Sequence, residues 1–82
     1  MNYYAYVLES LKNGKRYTGH TQNLTKRLIQ HNKGKTKSTK ANVPYKLLYY
    51  ELCTSRMEAS DREKFFKTGS GREYIMEKLM HS

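Results

Sequence analysis

Eighty-two residues with sixteen Lys and Arg against seven Asp and Glu carry a formal charge of +9, a field that on so small a body attracts polyanions and makes nucleic acid the expected partner. The length suits one small core, so a single domain over 1–82 is expected. No apolar run approaches the roughly 18 residues of a membrane span, and no signal-peptide layout, lipidation motif or basic amphipathic helix points to a membrane; the lone Cys53 builds neither a disulfide nor a cysteine-rich zinc cluster, and a cytoplasmic location is the expectation.

Tyr3 to Glu9 is an aromatic and aliphatic run, and Arg16 to Thr21 is a second β-like run. Asn13-Gly14 between them predicts an antiparallel hairpin, because both residues tolerate positive φ. Asn23 is placed to cap a helix through Leu24, Leu28, Ile29 and His31, with Gly34 as its stop. The stretch KGKTKSTKANVP, Lys33 to Pro44, has four lysines and no apolar period, which predicts a mobile basic loop. Tyr45 to Cys53 reads as a third strand. Ser55 with Glu58 forms a capping box for a second helix ending near Gly69, and Ser70 with Glu73 forms another for a third helix that buries Ile75, Met76, Leu79 and Met80. The order ββαβαα makes an α/β fold on a small three-stranded sheet, antiparallel or mixed, flanked by helices.

A hairpin closed by two or four residues pairs positions of odd sum, which puts Tyr4, Tyr6, Tyr17 and Gly19 on one face. Register within that parity stays open: a two-residue loop offsets Tyr6 from Tyr17 by about 13 Å, and a four-residue loop roughly halves this. Gly19 removes a side chain next to the phenols, either to admit a sugar or phosphate or as an ordinary β-bulge. On the first helix Leu24, Arg27, Leu28 and His31 form an i, i+3, i+4, i+7 stripe. Arg27 there either lays its methylenes over the leucines or clamps a phosphate, and His31 is either a packed residue or part of a site. Ala59, Arg62, Glu63 and Phe66 repeat the spacing on the second helix. Glu63 is either neutralised by Arg27 or Lys67 or holds a divalent cation as a single hard oxygen ligand, and spacing does not choose.

Tyr4-Ala5-Tyr6, Tyr17-Thr18-Gly19, Arg27 with His31, Pro44 before a third strand and Glu63 in the second helix resemble, in order and separation, the GIY-YIG nuclease domain over nearly the whole chain, in its small stand-alone bacterial form. The resemblance implies metal-dependent endonucleolytic cleavage of DNA phosphodiesters with Mg2+ or Mn2+. It implies that Tyr6 helps activate the attacking water, Tyr17 orients the nucleophile or phosphate, Arg27 stabilises phosphoryl charge, His31 acts beside the arginine and Glu63 ligates the metal. Two departures stand out: Tyr4 replaces the first glycine, narrowing the site, and Thr18 is the middle of the second triplet. The asparagine that several members carry late in the domain has no clear counterpart. Lys33, Lys35, Lys37 and Lys40 are the expected phosphate-gripping residues, with branched, nicked or flapped DNA the expected target and RNA still open. The alternative is a non-catalytic nucleic-acid-binding module whose tyrosines stack unpaired bases. A third reading is a basic protein of a ribonucleoprotein particle. Arg27 and Glu63 on inward stripes separate the first reading from the others, because a pure binder needs neither.

Overall fold

A computed structural model describes residues 2–81. Its elements are β1 (Tyr3–Ser10), β2 (Arg16–Thr21), α1 (Leu24–Asn32), a 3-10 turn (Lys40–Asn42), β3 (Tyr45–Cys53), α2 (Arg56–Phe66) and α3 (Gly69–Met80). The expected ββαβαα order is therefore observed. The sheet is antiparallel throughout in the order β2-β1-β3. Ala5 to Leu8 are all buried because β1 is central and covered on both faces. Tyr6, Leu8 and Tyr45 pack with Leu24 and Leu28 of α1 on one face, while Ala5, Val7 and Cys53 pack with Ala59, Phe66 and Ile75 of α2 and α3 on the other.

The β1–β2 loop has four residues, Leu11 to Gly14, closed where Ser10 N–H donates to the Lys15 carbonyl at 2.8 Å. Gly14 takes positive φ and Asn13 does not. Asn13 instead accepts from Lys15 N–H and donates to the Asn42 side chain, tying the hairpin tip to the segment before β3. This loop sets Tyr6 opposite Gly19 and Leu8 opposite Tyr17, the shorter of the two offsets that parity allows.

Asn23 caps α1 by accepting from Lys26 N–H. The helix stops where Gly34, at φ +73°, donates to the His31 carbonyl and Lys35 to the Gln30 carbonyl, a paired closure that needs the left-handed backbone glycine tolerates. Ile29 is exposed, outside the stripe that faces the sheet. The stretch after α1, expected as a mobile basic loop, carries local hydrogen bonds and a short 3-10 turn. Thr39 N–H and Lys40 N–H both donate to the Thr36 carbonyl, and Thr39 is fully buried. A polar residue anchors the loop where no apolar one could.

The third helix starts earlier than its expected capping box. Its cap is Thr68, which accepts from Gly71 N–H, and Ser70 already lies in the helix. Gly71 dictates that start: a Cβ there would fall 1.8 Å from the Phe65 carbonyl oxygen, so α3 rests directly on the end of α2. Of the expected apolar face only Ile75 is buried, whereas Met76, Leu79 and Met80 are exposed. The helix crosses the core with one turn and runs past it.

Candidate functional site

β2 is an edge strand, and the predicted site residues gather around its Gly19–His20 segment from both faces. From the α1 side comes Tyr6, which is 1% exposed. A Cβ on Gly19 would meet the Tyr6 hydroxyl at 2.6 Å. The space opened by Gly19 is thus filled by the Tyr6 phenol itself, neither held open for a ligand nor used for a bulge; the register shift in this sheet lies instead between β1 and β3, at Val7/Leu8.

The Tyr6 hydroxyl lies 3.1 Å from His31 Nε2, and His31 Nδ1 lies 2.8 Å from Thr39 Oγ1, which in turn is 3.4 Å from the Thr36 carbonyl. With the proton on Nδ1, every donor in this chain meets an acceptor: Tyr6 donates to Nε2, Nδ1–H donates to Thr39, and Thr39 donates to the carbonyl. Burial lowers the His31 pKa from its usual value and the neighbouring Arg27 charge lowers it further, so the imidazole is neutral at pH 7. Burial likewise raises the Tyr6 phenol, with Arg27 pulling the other way. Tyr17, half-buried, stacks at an angle on His31 with centroids 5.0 Å apart and lies 6.5 Å from the Tyr6 ring. Arg27 is also half-buried. Its guanidinium donates to Gln30 at 3.3 Å and has no carboxylate partner among the described residues.

Glu63 stands on the opposite side of β2. Its Oε1 lies 2.6 Å from His20 Nδ1 and its Oε2 accepts from Lys67 Nζ at 2.9 Å. Burial pushes its pKa up, but the His20 and Lys67 contacts outweigh that and hold the carboxyl below the usual range. Of the two expected neutralising partners only Lys67 is in place, and Arg27 is across the sheet.

Residue 4 does not crowd this region. Tyr4, opposite Thr21 on the central strand, packs edge-on against Tyr50 of β3 with ring centroids 6.0 Å apart. Lys33, Lys35, Lys37 and Lys40 are all exposed beyond the C-terminal end of α1. The fourth member of the α2 stripe, Arg62, is structural: it donates twice to Glu51, at 2.8 and 3.1 Å, and lies over the Phe65, Phe66 and Tyr74 rings.

Two neighbours were not singled out from the sequence. His20 was within reach, because hairpin parity turns it away from Tyr6 toward the helix that carries Glu63. Thr39 was not, since nothing in a polar run marks one hydroxyl as buried.

This arrangement can be compared with known proteins. The profile of the GIY-YIG catalytic domain matches residues 2–76. The chain belongs to the GIY-YIG family. Among its relatives are a UPF0213 protein of Bacillus licheniformis, 43% identical over 94% of this chain and 82% of that protein, and one of Streptococcus agalactiae, 48% identical over 78% and 73%. The solution NMR structure of a UPF0213 protein from Bacillus halodurans matches with a TM-score of 0.56 and 32% identity over 94% of this chain and 84% of that one. GIY-YIG proteins form a nuclease family that generally uses a divalent metal.

Among the described residues no three His, Cys, Asp or Glu side chains converge on a point, and a cation held here would need to be one bound by few protein ligands. Glu63 meets that requirement. It is charged, a carboxylate offers about four lone-pair sites, and the Lys67 side chain on one oxygen is 56% exposed and free to swing away. A hard cation that keeps several waters needs only one or two protein carboxylates.

Proposed function

We propose that this GIY-YIG protein is a metal-dependent endonuclease that hydrolyses DNA phosphodiesters at the outer edge of β2. The observation that carries this reading is Arg27: a half-buried guanidinium without a carboxylate partner among the described residues, in a cluster with two phenols and a neutral imidazole. Such a cluster lacks negative charge, and a phosphate would supply it in bidentate form.

Tyr17, the more accessible phenol, orients the phosphate and the attacking water. The Tyr6 proton is committed to His31 Nε2, which leaves the phenol oxygen as an acceptor. A proton arriving there passes to a neutral base, without free phenolate in a site that disfavours it. Arg27 stabilises charge growing on the phosphoryl oxygens. A divalent cation, Mg2+ or Mn2+, on Glu63 supplies Lewis-acid stabilisation of the leaving oxygen when bound. Lys33, Lys35, Lys37 and Lys40 add affinity along the backbone, without base readout.

The test is incubation with labelled duplex, nicked, flapped and branched DNA, and matching RNA, in Mg2+, Mn2+ or chelator. Cleavage of DNA in metal alone, lost in Arg27→Ala with the fold intact, is the expected result. Binding without cleavage of any substrate would replace this reading with a non-catalytic nucleic-acid-binding module.

A further inference from the structure

Arg16, Thr18 and His20 alternate along the face of β2 that looks toward α2 and α3. Glu63 stands at the His20 end. At the other end is a cavity of about 240 Å³, floored by the buried Val7, Phe66 and Ile75 and rimmed by Arg16, Lys67 and Arg72. Three cations from three separate elements meet there, and no carboxylate lines it. At a share of about 30 Å³ per water, the volume holds a phosphate group with part of its hydration shell.

Arg72 is the informative member. Its guanidinium has no carboxylate partner among the described residues. It occupies the first turn of α3, a turn without an acidic residue, where the helix dipole disfavours a cation. Arg16 is held only loosely, 3.7 Å from Glu9, and Lys67 is shared between the cavity and Glu63.

We infer that this cavity is a binding site for a backbone phosphate of the nucleic-acid strand, next to the phosphate at the β2 edge. Assigning the phosphate to the substrate strand rests on the nuclease reading; the anion site does not. His20 and Thr18 lie two steps apart on β2, about 6.6 Å at ~3.3 Å per residue, a length comparable to one nucleotide step along a strand. Lys67 links the two positions, since it donates to Glu63 and also lines the cavity. The strand then passes over Arg16 and Arg72 as well as the lysine loop.

Two measurements test this on the full chain. Inorganic phosphate titrated into 15N-labelled protein should shift the Val7 and Thr18 amides saturably, and Arg16→Ala/Arg72→Ala should abolish the effect. Arg72→Ala alone should lower the slope of log K against log salt for DNA by about 0.9, near an eightfold loss at 0.1 M salt, with the double variant losing about twice the slope. Its melting temperature should stay level or rise, whereas a structural role for Arg72 would lower it. Absence of saturable shifts, or shifts that persist in the double variant, overturns the site. Phosphate binding with an unchanged DNA slope overturns its assignment to the strand and leaves a site for free phosphate. If both measurements come out as expected and no substrate is cleaved, the nuclease reading fails and the phosphate site stands.

Discussion

Replacing Gly19 with alanine tests whether the site is held together by the packing of Tyr6. The substitution is the smallest possible, and the backbone there imposes no strain, since the positive-φ glycines are Gly14 and Gly34. The added Cβ would nevertheless lie 2.6 Å from the Tyr6 hydroxyl and 2.8 Å from Cζ. The ring cannot step aside: Tyr6 is 1% exposed and its hydroxyl is bonded to a fully buried His31. Overpacking of this kind costs about 1–3 kcal/mol, against a gain of about 0.4–1 kcal/mol from restricting the unfolded chain. The net loss of about 1–2 kcal/mol corresponds to a fall in melting temperature of about 4–16 °C for a chain this short. In Tyr6→Leu the obstructing ring atoms are gone, so adding Gly19→Ala to it should cost almost nothing. Urea unfolding of the four proteins in that cycle gives the coupling energy directly. An unchanged or raised melting temperature for Gly19→Ala would show that Tyr6 does not occupy this space.

Glu63→Gln should abolish cleavage and lower stability by about 1 kcal/mol or less, because its partners His20 and Lys67 are 33% and 56% exposed; a variant that still cleaves in Mg2+ removes Glu63 from the metal-ligand role. His31 has its pKa depressed on folding, so its contribution to stability is complete above the unfolded value near 6.5 and falls with decreasing pH at up to about 1.36 kcal/mol per unit. Between pH 6.5 and 4.5 the stability curve should therefore slope in the wild type and flatten in His31→Gln, and parallel curves would refute a buried neutral imidazole. Replacing Lys33, Lys35, Lys37 and Lys40 together with alanine should weaken binding to all DNA sequences alike and reduce the salt slope by up to about 3.6. An unchanged slope would place the strand elsewhere.

Most of the architecture was legible because its signals are local. Asn13-Gly14 marked the hairpin, and side-chain alternation then assigned Tyr6, Tyr17 and Gly19 to one face before any tertiary information entered. What failed was decided at a distance. Ser70 and Thr68 are both competent caps, and the choice follows from Gly71, whose missing Cβ lets α3 rest on the Phe65 carbonyl. Met76, Leu79 and Met80 have the spacing of a buried face, but the core beneath α3 is only wide enough for Ile75. Thr39 was invisible for a different reason: its burial depends on His31 presenting Nδ1 to a loop that is otherwise polar. The contact between His20 and Glu63 joins two signals, each legible alone, and needed only the relative placement of β2 and α2.

Placing the groups on opposite faces of one strand has a chemical consequence. In-line displacement at phosphorus asks for proton acceptance on the side of the attacking water and charge stabilisation on the side of the leaving oxygen. A central strand could not serve, because its flanks are occupied by neighbours. β2 has one flank free, so a phosphate seated along it would meet Tyr6, Tyr17 and Arg27 from the α1 side and Glu63, the proposed cation ligand, from the α2 side. On the proposed reading this explains why Gly19 must lack a side chain: Tyr6 has to lie flat against the strand for its hydroxyl to come near that free edge. It also gives the two faces separable roles. Loss of Glu63 should abolish Mn2+ binding and leave the Tyr6–His31 bond intact, whereas Gly19→Ala should break that bond and leave Mn2+ binding at Glu63 unchanged. Manganese relaxation of the His20 resonances in the two variants would show whether the faces are independent. If Gly19→Ala also lost the cation, the two halves would be one coupled unit and this division of labour would be wrong.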